Sequence, residues 1–136
     1  MDLAARGRPA EAAEVIRSVR EEAHRRNASG SQYGLAAFHA EVLLAAGRAA
    51  EAAETWPAPL PCRCTYRLDR AAQYPRLALL RARAMEQLGR RADAIRELDG
   101  VLVFWKNADP DLPLLVEAKA MRKRLEKQAP APGARP

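Results

Sequence analysis

The string Gly-Arg-x-Ala-acid-Ala-apolar-charged is written three times in this chain, at Gly7 to Glu14, Gly47 to Glu54 and Gly89 to Arg96. It lies within the longer gapless segments Leu3 to Ile16, Leu43 to Trp56 and Met85 to Leu98. The glycines are 40 and 42 residues apart. A repeat of this length constrains folding more than any average property. Each copy is one unit that buries its apolar face by stacking on the next.

The chemistry of the string specifies a helical hairpin. A glycine directly after an apolar-periodic segment suits the left-handed conformation that ends a helix. A second helix then begins: Pro9 is tolerated in its first turn, and Glu11, Glu51 and Asp93 complement the N-terminal dipole. Ala12, Ala52 and Ala94 are small where two helix backbones must approach. Ile16, Trp56 and Leu98, four residues on, share that face and are expected to give the core its bulk.

Periodicity extends the pattern. Ala12, Ile16, Val19 and Ala23 form one helical stripe; Leu35, Phe38, Val42 and Ala46 form another. Ile95, Leu98, Leu102 and Trp105 form a third, and Leu114, Ala118, Met121 and Leu125 a last one. The expected helices are 9–26, 32–46, 49–56, 68–88, 91–106 and 113–127, with the stump of a helix at 1–6. Asn27 to Ser31 is a turn, Pro57 to Pro61 breaks a helix, and Asp109 to Pro113 is a further turn. Ala129 to Pro136 is expected to be a disordered tail, leaving one domain over 1–128. The composition agrees: aromatics are 5%, and Ala, Leu, Arg and Glu dominate, which is an all-α signature.

With the residues set out, the pattern resembles the tetratricopeptide repeat family. That family's turn glycine, the alanine five residues later and the bulky apolar residue four beyond fall on Gly7, Ala12 and Ile16, on Gly47, Ala52 and Trp56, and on Gly89, Ala94 and Leu98. A small residue seven before the glycine is matched by Ala40 and Ala82. Leu3, Leu43 and Met85 stand where the family prefers an aromatic, its usual proline after the second helix is missing, and its period is 34. The resemblance covers roughly residues 1–106 plus a terminal helix similar to a capping helix. Phe104 to Leu125 is similar to the end of repeat regions attached to bacterial kinases and transcriptional regulators.

The resemblance implies an all-α, right-handed superhelical stack of antiparallel hairpins whose concave face, lined by first helices, binds a protein or peptide. Carried over, the first-helix positions are Gln32, Phe38, His39, Glu41, Arg70, Gln73, Arg76, Arg81 and Arg83. Their arginines would favour an acidic ligand through bidentate pairing. The first repeat is incomplete, with only Met1 to Arg6 for its first helix. The helix starting near Pro9 is therefore expected to show a half-uncovered apolar stripe. Either the chain is the end of a larger protein, or a second copy covers that face.

Other classes fare worse. Lys and Arg number 23 against 17 Asp and Glu, a net charge of +6. The arginines at 63, 67, 70, 76, 81, 83, 90 and 91 make nucleic acid the alternative partner. The patch has no lysine, and its aromatics are only Tyr66 and Tyr74. Cys62 and Cys64 are no disulfide framework and suggest a reducing cytosol; two thiols fall short of the four ligands of structural zinc. His24 and His39 lie on separate expected helices, and His39 reads as a core or groove histidine. The recurring carboxylates Glu11, Glu14, Glu51 and Glu54 read as helix-start residues. No phosphate-binding loop, dinucleotide fingerprint or nucleophile elbow is present. No apolar run reaches membrane-spanning length. The expectation is a non-catalytic, cytoplasmic scaffold without cofactor or metal.

Overall fold

The computed structural model describes residues 7–26, 32–56 and 63–128, with backbone alone at 63–70 and 72. Among these are six helices and no strand: α1 (Pro9–Arg25), α2 (Gln32–Ala45), α3 (Ala49–Glu54), α4 (Arg63–Gln87), α5 (Arg91–Phe104) and α6 (Pro113–Lys127). The stump at 1–6, the turn at 27–31, the break at 57–61, Cys62 and the tail at 129–136 lie outside the described residues.

Gly7, Gly47 and Gly89 have φ of 74°, 73° and 71°, the left-handed region that costs an L-residue roughly 1–2 kcal/mol. Two of these turns are closed by paired backbone bonds. Gly47 N–H donates to Leu44 O at 3.0 Å and Arg48 N–H to Leu43 O at 2.8 Å. Gly89 N–H donates to Glu86 O at 3.0 Å and Arg90 N–H to Met85 O at 2.8 Å. These bonds satisfy carbonyls that the ends of α2 and α4 would leave unpaired. The next helix starts at once, with Arg48 and Arg90 at its N-cap.

α2 packs on α1, α3 and α4, and α4 packs on α2, α3, α5 and α6, while α5 also packs on α6. α1 packs on α2 alone among the described helices, and no backbone approach joins α1 to α3 or α3 to α5. One apolar cluster threads all six helices, from Ala12, Ala13 and Ile16 through Leu43, Ala52, Met85, Ala94 and Leu98 to Met121 and Leu125. A second holds Tyr33, Ala36, Ala37 and Ala40 of α2 against Leu77 and Leu80 of α4. Alanine at the crossings lets backbones close up. Leu98, with no exposed surface, contributes roughly 1.5–3 kcal/mol by burial.

Three expectations need correction. Trp56 is not core bulk: it is 43% exposed and lies beyond the end of α3. Thr55 is already extended (φ −67°, ψ 122°), and Trp56, which precedes Pro57, is itself disfavoured in the helical region. α4 starts at Arg63, not near 68, and runs 25 residues with buried Pro75 inside it. In α6 the deepest early residue is Leu115, 3% exposed, whereas Leu114 is only partly buried.

At one crossing even alanine would have to displace a neighbour. A Cβ built on Gly100 of α5 would sit 2.7 Å from the Tyr74 hydroxyl oxygen. The Tyr74 ring is held by edge contacts to Tyr33, Trp56 and Phe104 at 6.4, 6.4 and 5.2 Å. Alanine in place of a mid-helix glycine ordinarily stabilises by roughly 0.5–1 kcal/mol. Here Gly100→Ala is expected to lower the melting temperature, and to raise it once Tyr74→Phe removes the hydroxyl. Thermal unfolding of the two single variants and the double variant measures that reversal of sign.

Candidate binding faces

The arginines beside two of the turn glycines, Arg48 and Arg90, join helices that do not otherwise meet. Arg48 donates from Nε and Nη2 to Glu51 at 2.5 and 2.7 Å, and from Nη1 to Glu14 of α1 at 2.6 Å. Arg90 donates from Nε to Asp93 at 2.9 Å and from Nη1 to Glu54 of α3 at 2.8 Å. The recurring acids are thus the two ends of one clamp, one at the start of the arginine's own helix and one on the preceding second helix. Hydrogen bonds from Arg48 hold the Glu14 and Glu51 carboxyls below their ordinary range, and Arg90 does the same for Asp93.

A different ladder joins the first helices to one another and to α6. Arg76 of α4 pairs with Glu41 of α2, and Arg83 of α4 with Glu117 of α6. Arg124 of α6 donates from Nη2 to both carboxylate oxygens of Glu86 of α4, at 2.9 and 2.8 Å. The side chains of the Arg76–Glu41 and Arg83–Glu117 pairs keep 40–51% of their surface. Solvent-exposed pairs of this kind are worth about 0–1 kcal/mol.

Two of the cavities between first and second helices among the described residues are lined by charged side chains. One, of about 300 Å³, is lined by Trp56, Arg81, Arg90, Asp93, Arg96 and Glu97 among others. There the Arg81 guanidinium carbon lies 4.6 Å from the Trp56 ring centroid, and Arg81 Nη2 is 3.0 Å from Glu97 Oε1. Arg81 Nε is buried without a hydrogen-bond partner. Burial pushes the Glu97 carboxyl up, against the pull of Arg81. The other cavity, about 340 Å³, is lined by Arg17, Arg20, Glu21, His24, Gln32 and His39. Arg20 Nη1 donates to His39 Nδ1 at 2.8 Å, and Arg20 Nη2 donates to Trp56 O at 2.5 Å. Since arginine can only donate, His39 is the neutral tautomer with its proton on Nε2.

The nine expected first-helix positions therefore divide. Glu41, Arg76 and Arg83 come together on the ladder. Gln32 and His39 are buried in one inter-helix cavity, and Arg81 lies in the other. Phe38 is 40% exposed, Gln73 is half-buried, and the Arg70 side chain lies outside the described residues. Of the basic run, Arg76, Arg81, Arg83 and Arg90 face carboxylates from other helices. Arg91 instead donates to the carbonyls of Leu125 and Glu126 at 2.6 and 3.0 Å. Within that run the only acids are Asp69 and Glu86, so most of these partners could not be read from it. The described residues contain no cluster of three metal-ligating side chains, and no helix among them is long and apolar enough to cross a membrane.

Desolvation, then Arg20 and Arg48, lower the His39 pKa below its ordinary value, and Glu51 and Glu14 oppose them weakly. An unfolded histidine titrates near about 6.5. Below that pH the unfolded chain binds the extra proton and the folded chain resists it. Stability from neutral His39 is therefore complete above the unfolded pKa and is lost as pH falls toward the depressed folded value. His39→Gln should flatten this part of the profile. Urea unfolding of both proteins between pH 7.5 and 5 gives the difference, which is expected to shrink as the pH falls.

Comparison with protein-family models, curated proteins and solved structures returned no match to this chain.

Proposed function

We propose that this chain is a non-catalytic protein-interaction scaffold, a right-handed tetratricopeptide-like stack with α6 as its cap. Its first helices would line a concave face that takes an acidic peptide or an acidic segment of a partner protein. The observation that carries this reading is the serial packing of α2 on α4 and α4 on α6, while α1, α3 and α5 do not pack on one another. That arrangement gives the first helices one continuous surface, as stacked hairpins do in extended binding proteins.

Recognition on that surface is by exchange. Arg76 and Arg83 are already paired, so an incoming carboxylate takes the place of Glu41 or Glu117. Because each exposed pair is worth about 0–1 kcal/mol, displacement costs little, and a bidentate ligand gains geometry that a single glutamate lacks. The same pairing counts against nucleic acid as partner. Arg76, Arg81, Arg83 and Arg90 already have carboxylates beside them, which leaves less uncompensated charge for phosphates.

Panning a random peptide library on the immobilised chain at low salt should enrich acidic sequences. The double variant Arg76→Glu, Arg83→Glu should lose them with its far-ultraviolet spectrum unchanged. Arg96→Glu, at an exposed position on α5, should keep them. Enrichment of non-acidic peptides, or equal capture by the double variant, rejects this face. Retardation of DNA or RNA that weakens steeply with salt would favour the nucleic-acid alternative.

A further inference from the structure

Arg81 and Arg20 each line one of the two charged cavities, and of the pair Arg81 alone has a carboxylate beside it among the described residues. Arg81 and Glu97 lie eight residues before and eight after Gly89, and they meet at 3.0 Å. The same two positions around Gly47 hold His39 and Thr55. Thr55 brings no charge, and its hydroxyl donates to Glu51 O of its own helix at 2.9 Å. The cation beside His39 comes instead from α1, as Arg20, which donates to His39 Nδ1 and to Trp56 O. Both acceptors are neutral.

Arg20 also stands where the third repeat has a leucine. It follows Gly7 by the same thirteen residues as Leu102 follows Gly89, and Leu102 packs against the apolar core. Arg20 is half-buried there, and desolvation lowers its pKa with no neighbouring charge opposing the shift. Glu21, on the wall of the same cavity, lies 3.7 Å from Arg17 instead. A desolvated cation is costly unless a counter-charge pairs with it. The cavity can admit one. A guanidinium carries five N–H donors, and the two bonds to His39 and Trp56 fix its place while leaving the others for a ligand. Gln32 and His39, 2% and 7% exposed, add buried polar groups to the lining. The volume of about 340 Å³ falls in the range of roughly 300–1,000 Å³ usual for small-molecule sites.

We propose that the cavity between α1 and α2 binds a small organic molecule through an oxyanion, a carboxylate or a phosphate, which Arg20 holds as Arg81 holds Glu97. The ligand supplies the charge that Thr55 does not. Charge-assisted hydrogen bonds of this kind are the strong ones, and here they form to a cation already stripped of part of its water. The site is separate from Arg76 and Arg83 and does not rest on the acidic-peptide reading, so either can fail alone.

The test uses the whole chain, with inorganic phosphate and acetate as separate probes titrated at constant ionic strength. Nitrogen–proton correlation spectra should show the Arg20 Nε–H signal and the amides around His39 shifting saturably with at least one probe. Saturation by phosphate alone assigns a phosphate ligand, and saturation by acetate alone a carboxylate. Arg20→Leu, which matches the third repeat, should weaken binding about tenfold or more, read at the amides around His39. Arg20→Gln, which keeps a donor for His39 but no charge, should do the same. Circular dichroism of each variant confirms that its helices persist. No saturable shift with either probe overturns the proposal. Shifts that survive in Arg20→Gln also overturn it, since they mark an adventitious ion only.

Discussion

Arg48 and Arg90 each hold two carboxylates from two different helices, and they do so because a glycine at positive φ delivers them to that spot. The reversal at the glycine ends one helix with both paired backbone bonds made and starts the next immediately, with no loop whose entropy must be lost. The arginine is then the N-cap residue of the second helix, at the gap between consecutive second helices. Those helices do not pack on one another, so side chains rather than backbone contact set their spacing. The hairpin turn and the spacing of consecutive second helices both depend on this two-residue unit.

Helix existence was legible from sequence because it rests on short-range signals. The 3.6-residue periodicity, the turn glycines and the prolines at the first turns of α1 and α6 placed all six helices, with ends within two residues at most boundaries. The exceptions have physical reasons. Trp56 was assigned to the core by analogy of position with Ile16 and Leu98, but Pro57 stops α3 before it, so the ring reaches Arg81 and the two tyrosines instead. The early start of α4 had no comparable signal, since nothing between Arg63 and Leu68 marks a stripe.

Site residues were far less legible, because their partners are distant in sequence. An arginine-rich run with two acids in it reads as a basic patch. Among its described side chains, Arg76, Arg81, Arg83 and Arg90 pair with Glu41, Glu97, Glu117 and Glu54, which lie on other helices. Arg20 could not be linked to His39, nor Arg81 to Trp56, without knowing which helices are neighbours. The recurring glutamates did carry a signal. Their register with the glycines marked them as repeat features, and the second partner of each arginine became evident once the hairpins were stacked. Many of the described surface charges pair with one another across helices.

Native-state amide hydrogen exchange on the wild-type chain and on Arg48→Met measures most directly whether the clamp couples hairpins. The account predicts that the amides of α1 around Ile16 open at lower free energy in the variant, while those of α5 around Leu98 keep their protection. Unchanged protection in α1, or an equal loss in both helices, would contradict the claim that this arginine ties one hairpin to the next.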